Sequence, residues 1–211
     1  MTNNRGIPRR TSGVDLMLDA VFDNPLVAGA AGVTLIAGGG ISLGNALVLT
    51  LLMAAQLPLV GIIAAFERER MKPELRPVFY CAMTAVVTLL LSLLLELIAK
   101  GSVENLGIYA PLVAVDALVL SATAEDAPYV TPREAAWEAL GYIIVFAAIA
   151  FPVALVREII GNGSIFGGWL GFNGLEALRN PFAGFILCGL ALAGLRAILT
   201  KLGSSGEEVQ E

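Results

Sequence analysis

Asp116 has more chemistry to account for than any other residue in this sequence. It stands in the middle of residues 106–124, LGIYAPLVAVDALVLSATA, an almost wholly apolar stretch interrupted near its start by Gly107 and Pro111. An ionised aspartate in a bilayer core costs at least about 2.5–3.5 kcal/mol even on lenient insertion scales. The residue is therefore either a buried acid that is protonated or hydrogen-bonded to a neighbouring helix, or a group lining an ion path or a redox site. Cys81 and Cys188 lie far apart, each inside an apolar run. They read as buried small hydrophobes or as metal ligands, and a metal site would need more ligands than they supply. The chain has no histidine, which removes the commonest metal ligand and the usual general base near neutral pH. No catalytic triad, phosphate loop or metal cage is spelled out, so the chain is not expected to be catalytic alone.

Composition says where such residues must sit. The 211 residues are 57% hydrophobic and 15% charged, with a mean hydropathy of +0.80. Too few polar residues exist to coat a soluble domain, and the charges gather in short runs between long apolar stretches, as in a polytopic helical protein. The basic run in residues 67–76 is offset by three glutamates, Glu67, Glu69 and Glu74, and does not resemble a nucleic-acid patch.

The elements follow in chain order. Residues 1–20 form a cytoplasmic N-terminal segment with Arg5, Arg9 and Arg10. They lack the compact apolar core and cleavage site of a secretory signal. Residues 13–21 suit a short interfacial helix with Val14, Leu16, Met17 and Val21 towards lipid. Asp23-Asn24-Pro25 starts the first span, a polar cap with proline in the first turn. That span, residues 25–41, contains Gly29, Gly32 and the triplet Gly38-Gly39-Gly40. Its helical part before the triplet reaches only about 21 Å, short of a hydrocarbon core of roughly 30 Å, which predicts a half-span or a broken helix buried by protein. Its small residues equally suit close helix packing.

Residues 42–66 make the second span, bent at Pro58, with Asn45 and Gln56 facing the bundle. Residues 78–98 make the third, rich in leucine, with Glu96 at headgroup level. The interrupted stretch around Asp116 is the fourth. Thr131-Pro132 opens the helix of the fifth, residues 137–156, where Trp137 and Tyr142 mark the interface. Residues 161–174 are too glycine-rich to cross, residues 181–199 make the sixth span, and residues 201–211 read as a disordered tail. The whole is one six-helix membrane domain over residues 21–200, in halves of about 21–99 and 104–200.

Lysines and arginines orient it. With the N-terminus inside, the inner face holds Arg5, Arg9, Arg10, Arg68, Arg70, Lys72, Arg76, Arg133, Arg196 and Lys201. The outer face holds Lys100, Arg157 and Arg179. This asymmetry predicts both termini on the cytoplasmic side of the membrane. Each half opens with an irregular small-residue segment and continues with two fuller helices, so three spans per half makes the halves inverted repeats. Paired discontinuous helices of this kind point to a site at the membrane midplane.

Four stretches carry a resemblance over about residues 20–200. They are Asn24-Pro25, residues 106–112 (LGIYAPL), residues 157–167 (REIIGNGSIFG) and residues 181–186 (PFAGFI). With these the chain resembles the six-helix membrane subunits of the Na⁺-translocating NADH:quinone reductase and of the Rnf electron-transport complex, in the NqrD/RnfE branch. Residues 157–167 are the most specific of the four. The resemblance implies a paralogous NqrE/RnfA-like partner of opposite orientation, flavin-bearing membrane subunits, and coupling of electron transfer to Na⁺ or H⁺ movement. It also implies a midplane [2Fe-2S] cluster to which each of the two subunits gives two cysteines.

Those cysteine positions fall on Thr34 and Ala117 here, with Gly32 retained in the first turn and Asp116 where the family has asparagine. Neither residue supplies a thiolate, which puts the cluster in doubt for this chain. The resemblance therefore implies a divergent integral subunit of an ion-translocating electron-transport complex. An inverted-repeat ion or solute transporter using Asp116, or a purely structural subunit, is the alternative. The corresponding polar or ion site would comprise Asp116, Thr34, Gly32, Gly107 and Pro111.

Overall fold

The computed structural model describes residues 12–67, 72, 74–126, 130–166 and 168–207. Arg5, Arg9, Arg10, Arg68, Arg70 and residues 208–211 lie outside them. In chain order the helices are α1 (Gly13–Phe22), α2 (Pro25–Gly29), α3 (Val33–Gly39), α4 (Leu43–Glu67), α5 (Arg76–Ile98), α6 (Ser102–Leu106), α7 (Tyr109–Leu112), α8 (Ala117–Leu120), α9 (Pro132–Val156) and α10 (Pro181–Glu207). A two-residue hairpin, Ser164–Ile165 with Gly168–Trp169, is the extended structure among the described residues. The protein is all-α.

Among the described residues four helices are long and apolar enough to cross a membrane: α4, α5, α10, and α9 with its π-helical extension to Asn162. Gly13–Gly29 and Val33–Gly39, bent by 68° at their break, make a fifth candidate when the pair is counted as one broken span. The sixth apolar segment, Tyr109–Ala124, is shorter and broken into α7, a 3-10 turn, α8 and a π-helical turn. The first and fourth membrane segments are thus the discontinuous ones.

The first segment begins earlier than residue 25. α1 is not a separate surface helix with Leu16 towards lipid: Leu16 and Ala20 are buried, and α1 packs along α9. Gly141 makes this possible, because a Cβ there would meet the Met17 carbonyl at 2.6 Å and Ala20 Cβ at 2.7 Å. Asn24, fully buried, joins α1 to α2. Its amide donates to the Ala20 carbonyl at 3.2 Å, and its Oδ1 accepts from Leu26 N–H at 2.9 Å. At the other end, α10 runs on past Leu199 to Glu207, where the sequence alone suggests an unstructured tail.

Packing is reciprocal between the halves. α4 and α9 are the central pair, α10 packs on α3, and α5 packs on the α6–α7 segment and the 3-10 turn that follows it. Asn45 and Gln56 face the bundle, as expected. Asn45 donates to the Gly39 carbonyl at 3.2 Å, and Gln56 Oε1 lies 2.8 Å from the Thr88 hydroxyl of α5. The outer faces of α5 and α10 carry exposed leucine, isoleucine and phenylalanine, as a lipid-facing surface does.

Candidate functional site

The breaks in the two discontinuous segments meet. α2 ends at Ala30, a non-glycine residue in the left-handed region (φ 56°), and α3 starts from Gly32 at φ 91°. Glycine tolerates that conformation without the steric cost of a Cβ. A Cβ on Gly32 would lie 3.4 Å from Asp116 Oδ1 and 3.5 Å from Leu118 Cβ, so the start of α3 abuts the start of α8. Asp116 is 7% exposed, has extended backbone, and accepts from Leu118 N–H at 3.0 Å as the N-cap of α8. That bond is to its own helix. An asparagine oxygen could make it equally well.

Thr34 and Ala117, the positions the resemblance assigns to cluster ligands, stand in the first turns of α3 and α8, and both are exposed. A hydroxyl and a methyl offer no iron ligand of the thiolate or imidazole type. Cys81 is exposed on α5, and Cys188 is fully buried in α10. Among the described residues no three His, Cys, Asp or Glu side chains group as metal ligands. The residues present at this junction do not fit a [2Fe-2S] cluster. Gly107 and Pro111 line a groove against α5 whose lining includes neither Gly32 nor Asp116.

The glycine triplet has a packing role. α3 runs through Gly38 and Gly39, and a Cβ on Gly38 would fall inside the Tyr109 ring, while one on Gly39 would lie 2.9 Å from Leu49 Cδ1. Gly38 and Gly39 are the seat into which Tyr109, from the other half, is set.

What holds α3 at this angle is a pair of residues not singled out in the sequence as functional. Arg157 is fully buried. Its Nε donates to the Leu178 carbonyl at 3.1 Å. One terminal nitrogen donates to Ala37 at 2.7 Å and Gly40 at 3.2 Å, and the other to Arg179 at 3.0 Å and Asn180 at 3.4 Å. All five guanidinium donors reach backbone carbonyls, from the end of α3 and the start of α10. A cation at the carbonyl end of a helix also meets a favourable dipole. Glu158 beside it accepts from Leu43 N–H at 2.6 Å and so caps α4. An Arg-Glu pair at the end of an apolar run, ahead of a glycine-rich loop, is the sequence signal for this clamp.

A polytopic helical bundle with two broken segments meeting beside the buried Asp116 defines the class: an integral membrane protein with paired discontinuous helices. The particular family follows from comparison. Residues 14–200 match the family described as "Rnf-Nqr subunit, membrane protein", and the chain belongs to it. It is 26% identical over 194 residues to the D subunit of the Na(+)-translocating NADH-quinone reductase of Pasteurella multocida, covering 87% of this chain and 92% of the relative. Against the same reductase component of Shewanella piezotolerans it is 24% identical over 188 residues, covering 84% and 89%. It is 29% identical over 178 residues to the E subunit of the ion-translocating oxidoreductase complex of Shewanella amazonensis, covering 76% of each.

Proposed function

We propose that this chain is an integral subunit of an ion-translocating electron-transport complex of the kind its relatives' names describe. The α3–α8 junction is the docking face for a paralogous NqrE/RnfA-like membrane partner, with flavin-bearing subunits completing the assembly. One observation carries the reading. The junction exposes Ala28, Gly29, Ala30 and Thr34 beside non-helical backbone, with Ala117 exposed at the start of α8. Irregular backbone at membrane depth is tolerated only where protein or a water-filled cavity covers it. A single cysteine placed by Thr34→Cys should therefore cross-link to another membrane subunit in native membranes. A cysteine placed by Leu93→Cys, on the lipid-facing side of α5, should not. Labelling of the Thr34→Cys site by lipid-phase reagents alone would overturn the docking face.

In this reading the chain gives no thiolate to an intersubunit cluster, and Na⁺ or H⁺ is the ion coupled to turnover. The membrane is the bacterial inner membrane, with both termini cytoplasmic. That orientation rests on the ten basic residues assigned to the inner side against three on the outer. A reporter fused after Ser205 should be active only in its cytoplasmic form; activity on the far side would reverse the topology.

A further inference from the structure

A groove of about 590 Å³ lies between α5 and the segment that follows it. Ala85, Leu89 and Ser92 line it from α5, and Gly107, Ala110 and Ala114 from the other side. The volume lies in the range of small-molecule sites, roughly 300–1,000 Å³. Small residues leave this space open. On the opposite side of the bundle the corresponding contact is tight, for a Cβ on Gly184 of α10 would overlap the Ala37 carbonyl of α3. The fold therefore does not require the groove.

Its lining chooses the occupant. The Thr88 hydroxyl at its edge is already taken by Gln56 and the Thr84 carbonyl. The rest, Ser92 and Glu104 apart, is hydrocarbon, a poor host for water, which needs several polar partners. The flanking side chains Leu89 (60% exposed) and Ile108 (71%) are apolar, so the groove opens to the bilayer. The part of α5 that lines it, residues 85–92, rises about 10 Å, within the roughly 15 Å of one leaflet's hydrocarbon. The groove is thus long enough for part of one acyl chain within a single leaflet. At its surface end stand an exposed carboxylate, Glu104, which lines it, and an exposed ammonium, Lys100, in the turn before α6.

We propose that this groove binds one phospholipid with a zwitterionic amine headgroup. An acyl chain fills the space between α5 and α7, the headgroup amine meets Glu104, and the phosphate meets Lys100. The test uses the intact complex, washed in mild detergent and read by native mass spectrometry and lipid extraction. The wild type should retain one phosphatidylethanolamine per copy of this chain. Ala85→Leu fills the groove from an exposed position and should lower retention at least tenfold, while Ala82→Leu, exposed on α5 outside the groove, should leave it unchanged. Glu104→Lys lies at the surface and should exchange the retained lipid for phosphatidylglycerol without loss of assembled protein. Equal retention in wild type and Ala85→Leu would overturn the site. So would a photo-cross-linker at Leu89 that captures a protein helix, or an isoprenoid chain, in place of phospholipid.

Discussion

Arg157→Met is expected to abolish accumulation of the assembled protein in membranes. The guanidinium bonds five backbone carbonyls drawn from the end of α3 and the approach to α10; those of Ala37 and Gly40 are buried, and those of Leu178, Arg179 and Asn180 are part-buried. Leaving a buried acceptor unsatisfied costs about 1–3 kcal/mol, and a domain's whole stability is only about 5–15 kcal/mol. Losing several of these bonds together removes a large part of that margin. Arg157→Lys keeps the charge but has three donors on a point-like ammonium instead of a planar fork. It should restore part of the wild-type level, at least several-fold above the methionine variant. Immunoblots of membranes, with a loading standard, decide it. Near-normal levels of Arg157→Met would show that α3 and α10 are held together by apolar packing alone.

The second large effect is expected at Asp116, where two substitutions should behave oppositely. Asp116→Asn keeps an oxygen for Leu118 N–H and keeps the volume beside Gly32, so the complex should assemble normally. Asp116→Leu loses the cap, worth about 1 kcal/mol, and places a branched side chain against the start of α3. Assembly should fall several-fold. The ion response of the asparagine variant, measured with intact complex in sealed vesicles, then assigns the charge. An unchanged Na⁺ or pH dependence of turnover leaves Asp116 as a capping residue. A lost or altered dependence makes it a coupling group.

Why these residues carry so much is only partly written in the sequence. Long spans are legible because a membrane demands about 20 apolar residues, and α4 and α5 fall within a residue or two of their expected limits. Local caps are legible too. Thr131 and Glu134 bond each other's backbone as the Thr131-Pro132 start suggests, and Asn24-Pro25 opens α2. Glu96 sits at the end of α5, where its carboxylate accepts from the Gly101 and Val103 N–H groups that begin α6.

What is not legible depends on contacts between the halves. The triplet Gly38-Gly39-Gly40 reads as a helix breaker until Tyr109 is seen to occupy it. Arg157 reads as an outer-face charge, because the Arg-Glu pair marks the end of an apolar run but does not say which backbone carbonyls it will meet. α1 reads as a surface helix because its partner, Gly141, lies far along the chain. The inward face of α5, by contrast, does leave a signal. Tyr80, Thr84, Thr88, Ser92 and Glu96 recur every fourth residue along a leucine-rich helix, and this stripe turns Tyr80, Thr84 and Thr88 into the bundle.

The company this chain keeps in its own membrane is the most direct test of its role. The measurement is affinity purification of the tagged, full-length chain from native membranes, with every co-purifying protein identified and bound flavin and iron quantified. The expected result is a stable complex containing a paralogous six-helix partner and flavin-bearing membrane subunits, in which replacing Cys81 and Cys188 together with alanine leaves the iron content unchanged. Recovery of the chain alone or as a homo-oligomer, with no flavin-bearing partner, would contradict it and leave a self-sufficient transporter built on the same bundle.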